Sequence, residues 1–321
     1  MTTTDAPETA PPSPGKRRIG DVAFAGLARG SGILILLILA GVAAFLIVQA
    51  WPSLSANTAN FLTTLEWDPN VREDPAFGVA ALAFGTVLAA AIALLLATPV
   101  AIGIALFIVF YAPRRLASVL GYLVDLLAAI PSVVYGLWGI GFLAPQLVPV
   151  YQATTRYLGW IPLFSGPAST SARTILTASV VLAVMILPII TAMSRDVFRQ
   201  TPQGHREAAL AMGATRWEMI QLAVLPFGKS GVIGGAMLGM GRALGETMAV
   251  AMILSPALVI SWDLLQSGNQ TIAAHIALQY PEATGYGVSA LIAAGLVLFA
   301  ITLVVNMGAR YVVARGNKES R

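Results

Sequence analysis

Residues 231–254 read GVIGGAMLGMGRALGETMAVAMIL, and this run decides between a soluble fold and a membrane fold. A helix needs about 20 predominantly apolar residues to cross a bilayer. The run supplies them with only two ionisable side chains, Arg242 and Glu246. An arginine at the bilayer centre costs roughly 2.5–3.5 kcal/mol, so intramembrane charges usually line a translocation path or pair across a bundle. Because residues four apart share one helix face, we predict that these two side chains pair at the functional centre.

The composition of the whole chain also indicates a membrane protein. Of its 321 residues, 57% are hydrophobic and 11% are charged, whereas a soluble domain carries about 25% charged residues. The chain has no cysteine, which excludes disulfides, thiolate chemistry and cysteine-based metal sites. Its two histidines, His205 and His275, lack the spacing of metal ligands, so we expect neither a metal nor a cofactor. The predicted fold class is an all-α membrane protein.

Six apolar segments are long enough to cross a bilayer. We predict spans at about 29–50, 77–111, 117–143, 173–193, 231–255 and 286–311. Residues 1–28 are predicted to form a disordered cytoplasmic tail, and residues 29–315 the membrane domain. The basic stretch and apolar run near the amino terminus could also be a signal peptide, but the basic residues lie unusually far upstream, which favours a spanning helix.

The basic residues are distributed unevenly over the loops. Of the 19 lysines and arginines, only Arg72, Arg156 and Arg173 fall in predicted outer segments, and Arg242 falls in the membrane. Because cytoplasmic loops carry an excess of Lys and Arg, both termini are predicted to be cytoplasmic. The net charge of +4 is therefore a sign of topology rather than of nucleic-acid binding.

One sizeable polar segment lies between spans, at residues 194–230, and reads SRDVFRQTPQGHREAALAMGATRWEMIQLAVLPFGKS. A helix can start at Thr201-Pro202, because proline is favoured at the first helical position, and Gly213 is placed to end it. A second helical piece is predicted at 215–224. Two short helices at this position form either a docking surface for another protein or an amphipathic connector on the membrane.

This loop resembles the EAA motif of ABC importer permeases. The match is carried by Glu207, Ala208, Ala209, Gly213, Leu225 and Pro226, at the spacing of that motif. It departs at Ala223, where the pattern has isoleucine, a change that we expect to affect packing more than docking. The resemblance implies that the first four of these residues belong to a coupling helix that sits in a groove of an ATP-binding subunit.

Three stretches narrow the resemblance. EAALAMGATRWEMI, GMGRALGETMAV and AAIPSVVYGLWG together resemble the phosphate-specific ABC permease subunits of the PstC type, over about residues 77–311. The resemblance implies a type I ABC importer (MetI-like) permease fold with six transmembrane helices in a bacterial plasma (inner) membrane. It also implies a second permease subunit of the PstA type, an ATP-binding subunit dimer of the PstB type and an external phosphate-binding protein of the PstS type.

The energy for transport is expected to come from another polypeptide. No GxxxxGK[ST] phosphate loop occurs in the sequence, so ATP hydrolysis is assigned to the partner ATPase subunit and this subunit is predicted not to be an enzyme. The expected activity is passage of phosphate from the external binding protein to the cytoplasm by alternating access.

The predicted substrate path consists of polar side chains inside apolar spans: Arg242, Glu246, Thr247 and Asp125. A guanidinium presents a planar fork of donors that suits phosphate oxygens. Glu246 would hold Arg242 between transport events and compete with phosphate to hasten its release. Thr247 would add a hydroxyl donor, although a threonine in a membrane helix more often bonds its own backbone. Asp125 either faces Arg242 or lies at an edge of its span. The alternative for the charged pair is a structural ion pair between subunits.

Other classes of function stay open at this point. An ion-coupled anion carrier would also use intramembrane charges, but it leaves the spacing of the EAA residues unexplained. A structural membrane scaffold leaves Arg242 unexplained. Within ABC importers the oxyanion could be sulfate, molybdate or phosphonate, and the resemblance rather than physics favours phosphate.

Overall fold

The computed structural model describes residues 19–70 and 75–316, and most of them are helical. The α-helices are α1 (Ile19–Ala56), α2 (Ala80–Leu106), α3 (Arg114–Ala128), α4 (Ser132–Trp138), α5 (Ala144–Leu158), α6 (Ile175–Arg199), α7 (Gln203–Ala211), α8 (Arg216–Met219), α9 (Leu225–Leu244), α10 (Met248–Ile253), α11 (Ile272–Gln279) and α12 (Tyr286–Gly316). Short π-helical segments cover Phe107–Tyr111, Gly139–Leu143 and Ile220–Val224, and a 3-10 turn covers Tyr280–Glu282. A two-residue strand, β1 (Trp67–Asp68), pairs antiparallel with β2 (Ala76–Phe77).

Among the described residues, six helical stretches are long and apolar enough to cross a membrane. They are Ala23–Ala56, Ala80–Tyr111, Ser132–Leu158, Ile175–Arg199, Arg216–Leu244 and Tyr286–Tyr311. The prediction of an all-α membrane protein with six spans is confirmed.

The chain divides into two compact units, Met1–Val48 and Gln49–Arg321. In the first unit the helix already begins at Ile19, so residues 19–28 are helical and do not belong to a disordered tail. Three of these ten residues are alanine and none is proline, which is compatible with a helix that extends towards the amino terminus. The predicted disorder of residues 1–18 lies outside the described residues.

In the second unit, α2, α6 and α9 pack together as the central bundle. The buried face of α2 is made of alanines at helical spacing: Ala89, Ala93, Ala97 and Ala101. Gly235 and Gly239 of α9 pack directly on α6, because an added Cβ at Gly235 would lie 2.8 Å from Met193. Small side chains let helices approach closely in lipid, where helix association depends on packing rather than on water.

The predicted third span, 117–143, is wrong in its boundaries. Helix α3 ends at Ala128, and a new helical stretch starts at Ser132 and continues to Leu158. Pro131 precedes this stretch as its N-cap, since proline lacks an amide proton and suits a helix start better than a helix interior. The segment from Ala144 to Leu158, predicted as part of a loop, is therefore helical.

The predicted fifth span, 231–255, is also interrupted. Helix α9 ends at Leu244, three residues follow, and the short helix α10 begins at Met248. Gly245 occupies the C-cap of α9 with a φ of −92°, and the break continues through Glu246 and Thr247. From Leu254 to Thr271 the chain is not helical, although many of its residues are buried against the rest of the unit.

Candidate functional site

The break between α9 and α10 carries the charged residues of the GRALGET stretch. Arg242 lies in the last turn of α9, whereas Glu246 and Thr247 lie in the break before α10. The four-residue spacing therefore does not place Arg242 and Glu246 on one continuous helix. Within the described residues, the only side-chain ion pairs are those of Arg195, so the predicted pairing of Arg242 with Glu246 does not occur in this structure.

Glu246 is bound to the start of α10 instead. Its side chain is buried, and its Oε1 accepts a hydrogen bond from the backbone N–H of Ala249 at 3.2 Å. The first N–H groups of a helix lack partners within the helix and carry partial positive charge, so a carboxylate there is stabilised. The negative charge thus holds α10 rather than neutralising Arg242.

Arg242 is half-buried and makes no side-chain hydrogen bond to any residue of the described part of the chain. Its guanidinium lies within electrostatic range of Tyr135 in α4. The hydroxyl of Tyr135 donates to the backbone carbonyl of Leu127, near the end of α3, at 2.9 Å. The break between α3 and α4 is therefore close to the break between α9 and α10.

Helices α4 and α10 are in direct contact. A Cβ added at Gly136 would lie 2.9 Å from the Cα of Ala249 and 3.2 Å from the Sδ of Met252. At Gly139, the first residue of the following π-helical segment, an added Cβ would lie 2.9 Å from Ile253. The PSVVYGLWG and GRALGETMAV stretches therefore form one packed unit around Arg242.

Thr247 uses its hydroxyl locally. Its Oγ1 donates to the carbonyl of Gly245 at 3.1 Å, and its backbone forms the N-cap of α10. Its predicted role as a donor to substrate is not tested by this contact.

Asp125 faces a different arginine from the predicted one. It lies on α3 and pairs with Arg195 of α6 at 3.4 Å. Arg195 is buried and also donates to the carbonyl of Gly121 and to the carboxylate of Asp196. Contact of Asp125 with Arg242 is therefore wrong, because the chain breaks at Pro131 and α3 packs on α6, whereas its position at an edge of its span stays a prediction.

An open groove of about 590 Å³ runs along α9 beside α12. It is lined by Ser230, Gly234, Met237, Leu238, Gly241, Asn306 and Arg310. Its far end reaches Gly241, the residue before Arg242. The groove therefore follows one face of α9 from Ser230 to Gly241, and Arg242 does not line it.

The predicted coupling residues lie on α7 and at its end. Glu207 and Ala208 are exposed, whereas Ala209 is buried against a cluster formed by the ends of α2 and α6 and by the π-helical segment Ile220–Val224. Gly213 has a φ of +86°, a left-handed conformation that glycine adopts without steric cost.

The end of α7 has the hydrogen bonds of a Schellman motif. The N–H of Gly213 donates to Leu210 at 3.0 Å, and the N–H of Ala214 donates to Ala209 at 3.2 Å. The prediction that Gly213 ends this helix is confirmed. The next helix begins with a capping box, in which Thr215 and Glu218 exchange hydrogen bonds.

A groove of about 640 Å³ lies between α7 and the start of α9. It is lined by His205, Ala208, Ala209, Met212, Leu222, Ala223, Pro226 and Phe227. Ala223, which stands where the EAA pattern has isoleucine, is thus beside a space that a larger side chain would partly fill.

A buried histidine lies away from these two regions. His275 of α11 is 5% exposed, and its ring meets Trp67 edge to face at 4.7 Å between centroids. Burial lowers the pKa of His275 to about 4. The histidine is therefore neutral near pH 7 and packs β1 against α11. Among the described residues, no three His, Cys, Asp or Glu side chains lie together as metal ligands would.

Three of the residues at these sites were not predicted to have roles. Tyr135 lies within the PSVVYG stretch, which could have drawn attention to it. In the sequence, Arg195 and Arg173 indicate only topology, because most of their partners lie in distant segments that no local pattern reveals.

Comparison with known proteins places these features in a family. Residues 97–317 match the model of a family described as "Binding-protein-dependent transport system inner membrane component". The chain is 50% identical over 295 residues to "Phosphate transport system permease protein PstC 2" of Mycobacterium tuberculosis, covering 89% of each chain. It is 41% identical over 301 residues to "Phosphate transport system permease protein PstC" of Mesorhizobium japonicum, covering 92% of this chain and 90% of that protein.

Solved structures share the fold at low sequence identity. A chain of the MetNI methionine ABC transporter in an inward-facing conformation superposes with a TM-score of 0.52 at 17% identity, covering 72% of this chain and 93% of that chain. A chain of a bacterial ABC transporter that imports alginate has a TM-score of 0.53 at 16% identity, covering 91% and 99%. The expected type I, MetI-like permease fold is confirmed.

Proposed function

Because the chain belongs to the family of binding-protein-dependent transport system inner membrane components, we propose that it is the phosphate-conducting permease subunit of an ATP-driven importer. The observation that carries the proposal is the half-buried guanidinium of Arg242 at a helix break, which makes no hydrogen bond to any of the described residues. Relatives named as phosphate transport system permeases support phosphate as the substrate.

Arg242 is the contact for the anion. Its planar fork of N–H donors suits two phosphate oxygens, and the surrounding apolar helices strengthen the attraction by lowering the local dielectric constant. Glu246 is bound to α10, so it does not have to be displaced before phosphate arrives. Its negative charge, a few residues from Arg242, repels the anion and limits the time that phosphate stays bound.

The groove beside α9 is the proposed continuation of the path. It begins next to Arg242 and ends near Ser230, with the side chains of Asn306 and Arg310 on its other wall. With both termini in the cytoplasm, Ser230 lies at the inner end of this groove. Phosphate released from Arg242 would leave in that direction.

The segment 194–230 contains the proposed coupling site for a partner ATPase, which hydrolyses the ATP. Glu207 and Ala208 are exposed on α7 and available for contact, whereas Ala209 joins α7 to the ends of α2 and α6. Gly213 sets the direction in which the chain leaves the coupling helix. The partners are a second permease of the PstA type, an ATPase dimer of the PstB type and an external phosphate-binding protein of the PstS type, in a bacterial plasma (inner) membrane.

The proposal is tested by phosphate uptake into vesicles that contain the assembled complex. Arg242→Gln removes the charge and the fork and should lower uptake at least about tenfold, since hydrogen bonds to charged groups contribute roughly 1.5–3 kcal/mol. Arg242→Lys keeps the charge and should retain part of the activity. Arg156→Gln, which removes an exposed arginine in α5, is the matched control and should leave uptake unchanged.

Other outcomes would point to the alternatives. If Arg242→Gln dissociates the complex, the arginine has a structural role between subunits. If sulfate, molybdate or phosphonate competes with phosphate as well as phosphate itself does, the substrate assignment is wrong. Uptake that continues without ATP and follows an ion gradient would favour an ion-coupled carrier over an ATP-driven importer.

A further inference from the structure

The short helix α10 is held at both ends by charged side chains of opposite sign. At its start, Glu246 accepts a hydrogen bond from the N–H of Ala249. At its end, Arg173 donates to three successive backbone carbonyls. The distances are 3.3 Å from Nη2 to the carbonyl oxygen of Met252, 3.3 Å from Nε to that of Ile253 and 3.0 Å from Nη2 to that of Leu254. Each charge opposes the partial charge at its helix end and stabilises it.

These contacts matter because α10 cannot maintain its geometry alone. It has only six residues, and isolated helices shorter than about 12–15 residues are marginal even in favourable sequences. The chain turns to an extended conformation at Leu254, with a ψ of 146°, so the last carbonyls of α10 lack partners further along the helix. Arg173 supplies donors to those carbonyls.

Arg173 itself is attached to a firmly held part of the fold. It directly precedes Thr174, the N-cap of α6, whose Oγ1 accepts from the N–H of Thr177. The hydroxyl of Thr177 donates to the carbonyl of Ala172 at 2.5 Å and hydrogen-bonds with the hydroxyl of Tyr151. Ala172, Thr174 and Thr177 are fully buried, so the backbone on either side of Arg173 is fixed.

We propose that Arg173 is a positioning residue that holds α10 in place. Through α10 it fixes the positions of Glu246 and Thr247 relative to Arg242. This inference rests on the proposed function of Arg242 as the anion contact. Arg173 needs the guanidinium rather than a positive charge alone, because its fork reaches carbonyls of consecutive residues while an ammonium is a compact point charge. Loss of the fork would let α10 move and would change the position of the break beside Arg242.

The position of Arg173 also relates the anion site to the coupling loop. Helix α6 starts next to Arg173 and ends at Arg199, four residues before α7 begins. Its 25 residues span about 37 Å. A displacement of α6 that accompanies ATP hydrolysis would therefore act on α10 through the three hydrogen bonds of Arg173. Variants without the fork should hydrolyse ATP with less phosphate transported per ATP.

The test compares Arg173→Lys and Arg173→Gln with the wild type in vesicles containing the full complex. Both variants should lower the ratio of phosphate transported to ATP hydrolysed at least about threefold, while the amount of assembled complex stays near that of the wild type. A purely structural role would lower the amount of complex and leave this ratio unchanged. Arg156→Gln is the control for loss of a positive charge in the same predicted outer region.

A second measurement does not depend on phosphate. In hydrogen exchange on the full complex, the amides of Ala251 and Leu254, which donate within α10, should exchange about tenfold faster in Arg173→Lys. Unchanged exchange in both variants would overturn the inference. Wild-type transport by Arg173→Lys with loss only in Arg173→Gln would show that Arg173 attracts the anion by charge and would also overturn it.

The proposed phosphate transport and the positioning role of Arg173 would be contradicted by different results. If the wild-type complex transports no phosphate, the proposed function is wrong. In that case faster exchange in α10 would still support the positioning role of Arg173, and unchanged exchange would contradict it.

Discussion

Arg242 and Glu246 are four residues apart, yet they do different things because a helix ends between them. The guanidinium of Arg242 makes no hydrogen bond to the described residues and is close to Tyr135, whereas the carboxylate of Glu246 accepts a hydrogen bond from the N–H of Ala249. An ion pair would have neutralised the arginine and reduced its attraction for an anion. The separation of the two charges therefore leaves the guanidinium available while Glu246 maintains the local backbone.

At the residue scale, the burial of His275 predicts how the stability of the protein depends on pH. Burial lowers its pKa from 6.5 to about 4, so the folded protein binds this proton less readily than the unfolded chain. The free energy of unfolding therefore has its full value above about pH 6.5 and falls by at most about 3 kcal/mol as the pH falls towards 4. We expect the melting temperature of the complex in detergent to fall between pH 7 and pH 5.

The matched comparison is between the two histidines of the chain. His275→Gln removes the buried titrating group and should flatten the decrease in melting temperature with acidification. His205→Gln removes an exposed histidine and should leave it unchanged. Identical pH curves for His275→Gln and the wild type would contradict the prediction.

At the scale of secondary structure, the contact between α4 and α10 controls the site. The two helices come from segments more than a hundred residues apart in the chain, and each follows a break. Glycine at position 136 allows their backbones to approach closely. The positions of Tyr135 and Glu246 around Arg242 therefore depend on one interface between two short helices.

Gly136→Ala tests this interface. The new methyl group would lie 2.9 Å from the Cα of Ala249, a backbone atom that can move only with α10, and overpacking of this kind costs about 1–3 kcal/mol. We expect lower phosphate uptake and a lower melting temperature. Gly141→Ala is the control, because an added Cβ there meets no atom within 4 Å. Equal behaviour of the two variants would show that the close approach has no functional role.

The sequence was sufficient to predict six spans, the end of the coupling helix at Gly213 and the charged stretch, because hydropathy and glycine signals are local. The breaks were missed although local signals were present: Pro131 is a common helix start, and Gly245 and Thr247 are common cap residues. The continuous apolarity of both segments nevertheless predicts uninterrupted spans. The partners of Asp125 and Arg173 could not be predicted, since they depend on contacts between distant segments, whereas the bond of Glu246 to Ala249 is local and follows from the helix break.

At the scale of the whole molecule, α10 and the predicted coupling residues lie at opposite ends of α6. One end begins beside Arg173 and α10, and the other leads into α7 with the coupling residues. The cluster around Ala209 packs α7 against the ends of α2 and α6. One turn before Arg242, Gly239 packs on Ile186 and Ile190, so Arg242 lies near the middle of α6, between these two regions.

Glu207→Lys tests coupling at this scale. Glu207 is exposed, so reversing its charge should leave folding and membrane insertion intact while weakening the contact with the ATPase. We expect phosphate uptake to be abolished in a subunit that is still present in the membrane at wild-type amounts. Glu282→Lys makes the same charge reversal at an exposed position outside the proposed coupling site and serves as control. Wild-type uptake by Glu207→Lys would remove the basis for the coupling role.

The alanine face of α2 has a consequence for the speed of the transport cycle. Alanine has no side-chain rotamers to lose on burial, so packing Ala89, Ala93, Ala97 and Ala101 costs no side-chain conformational entropy. A contact of this kind can separate and re-form without a search among rotamers. The slow, entropically costly steps of the cycle should then lie where long side chains must be ordered, at Arg242 and Arg173, and not within the central bundle.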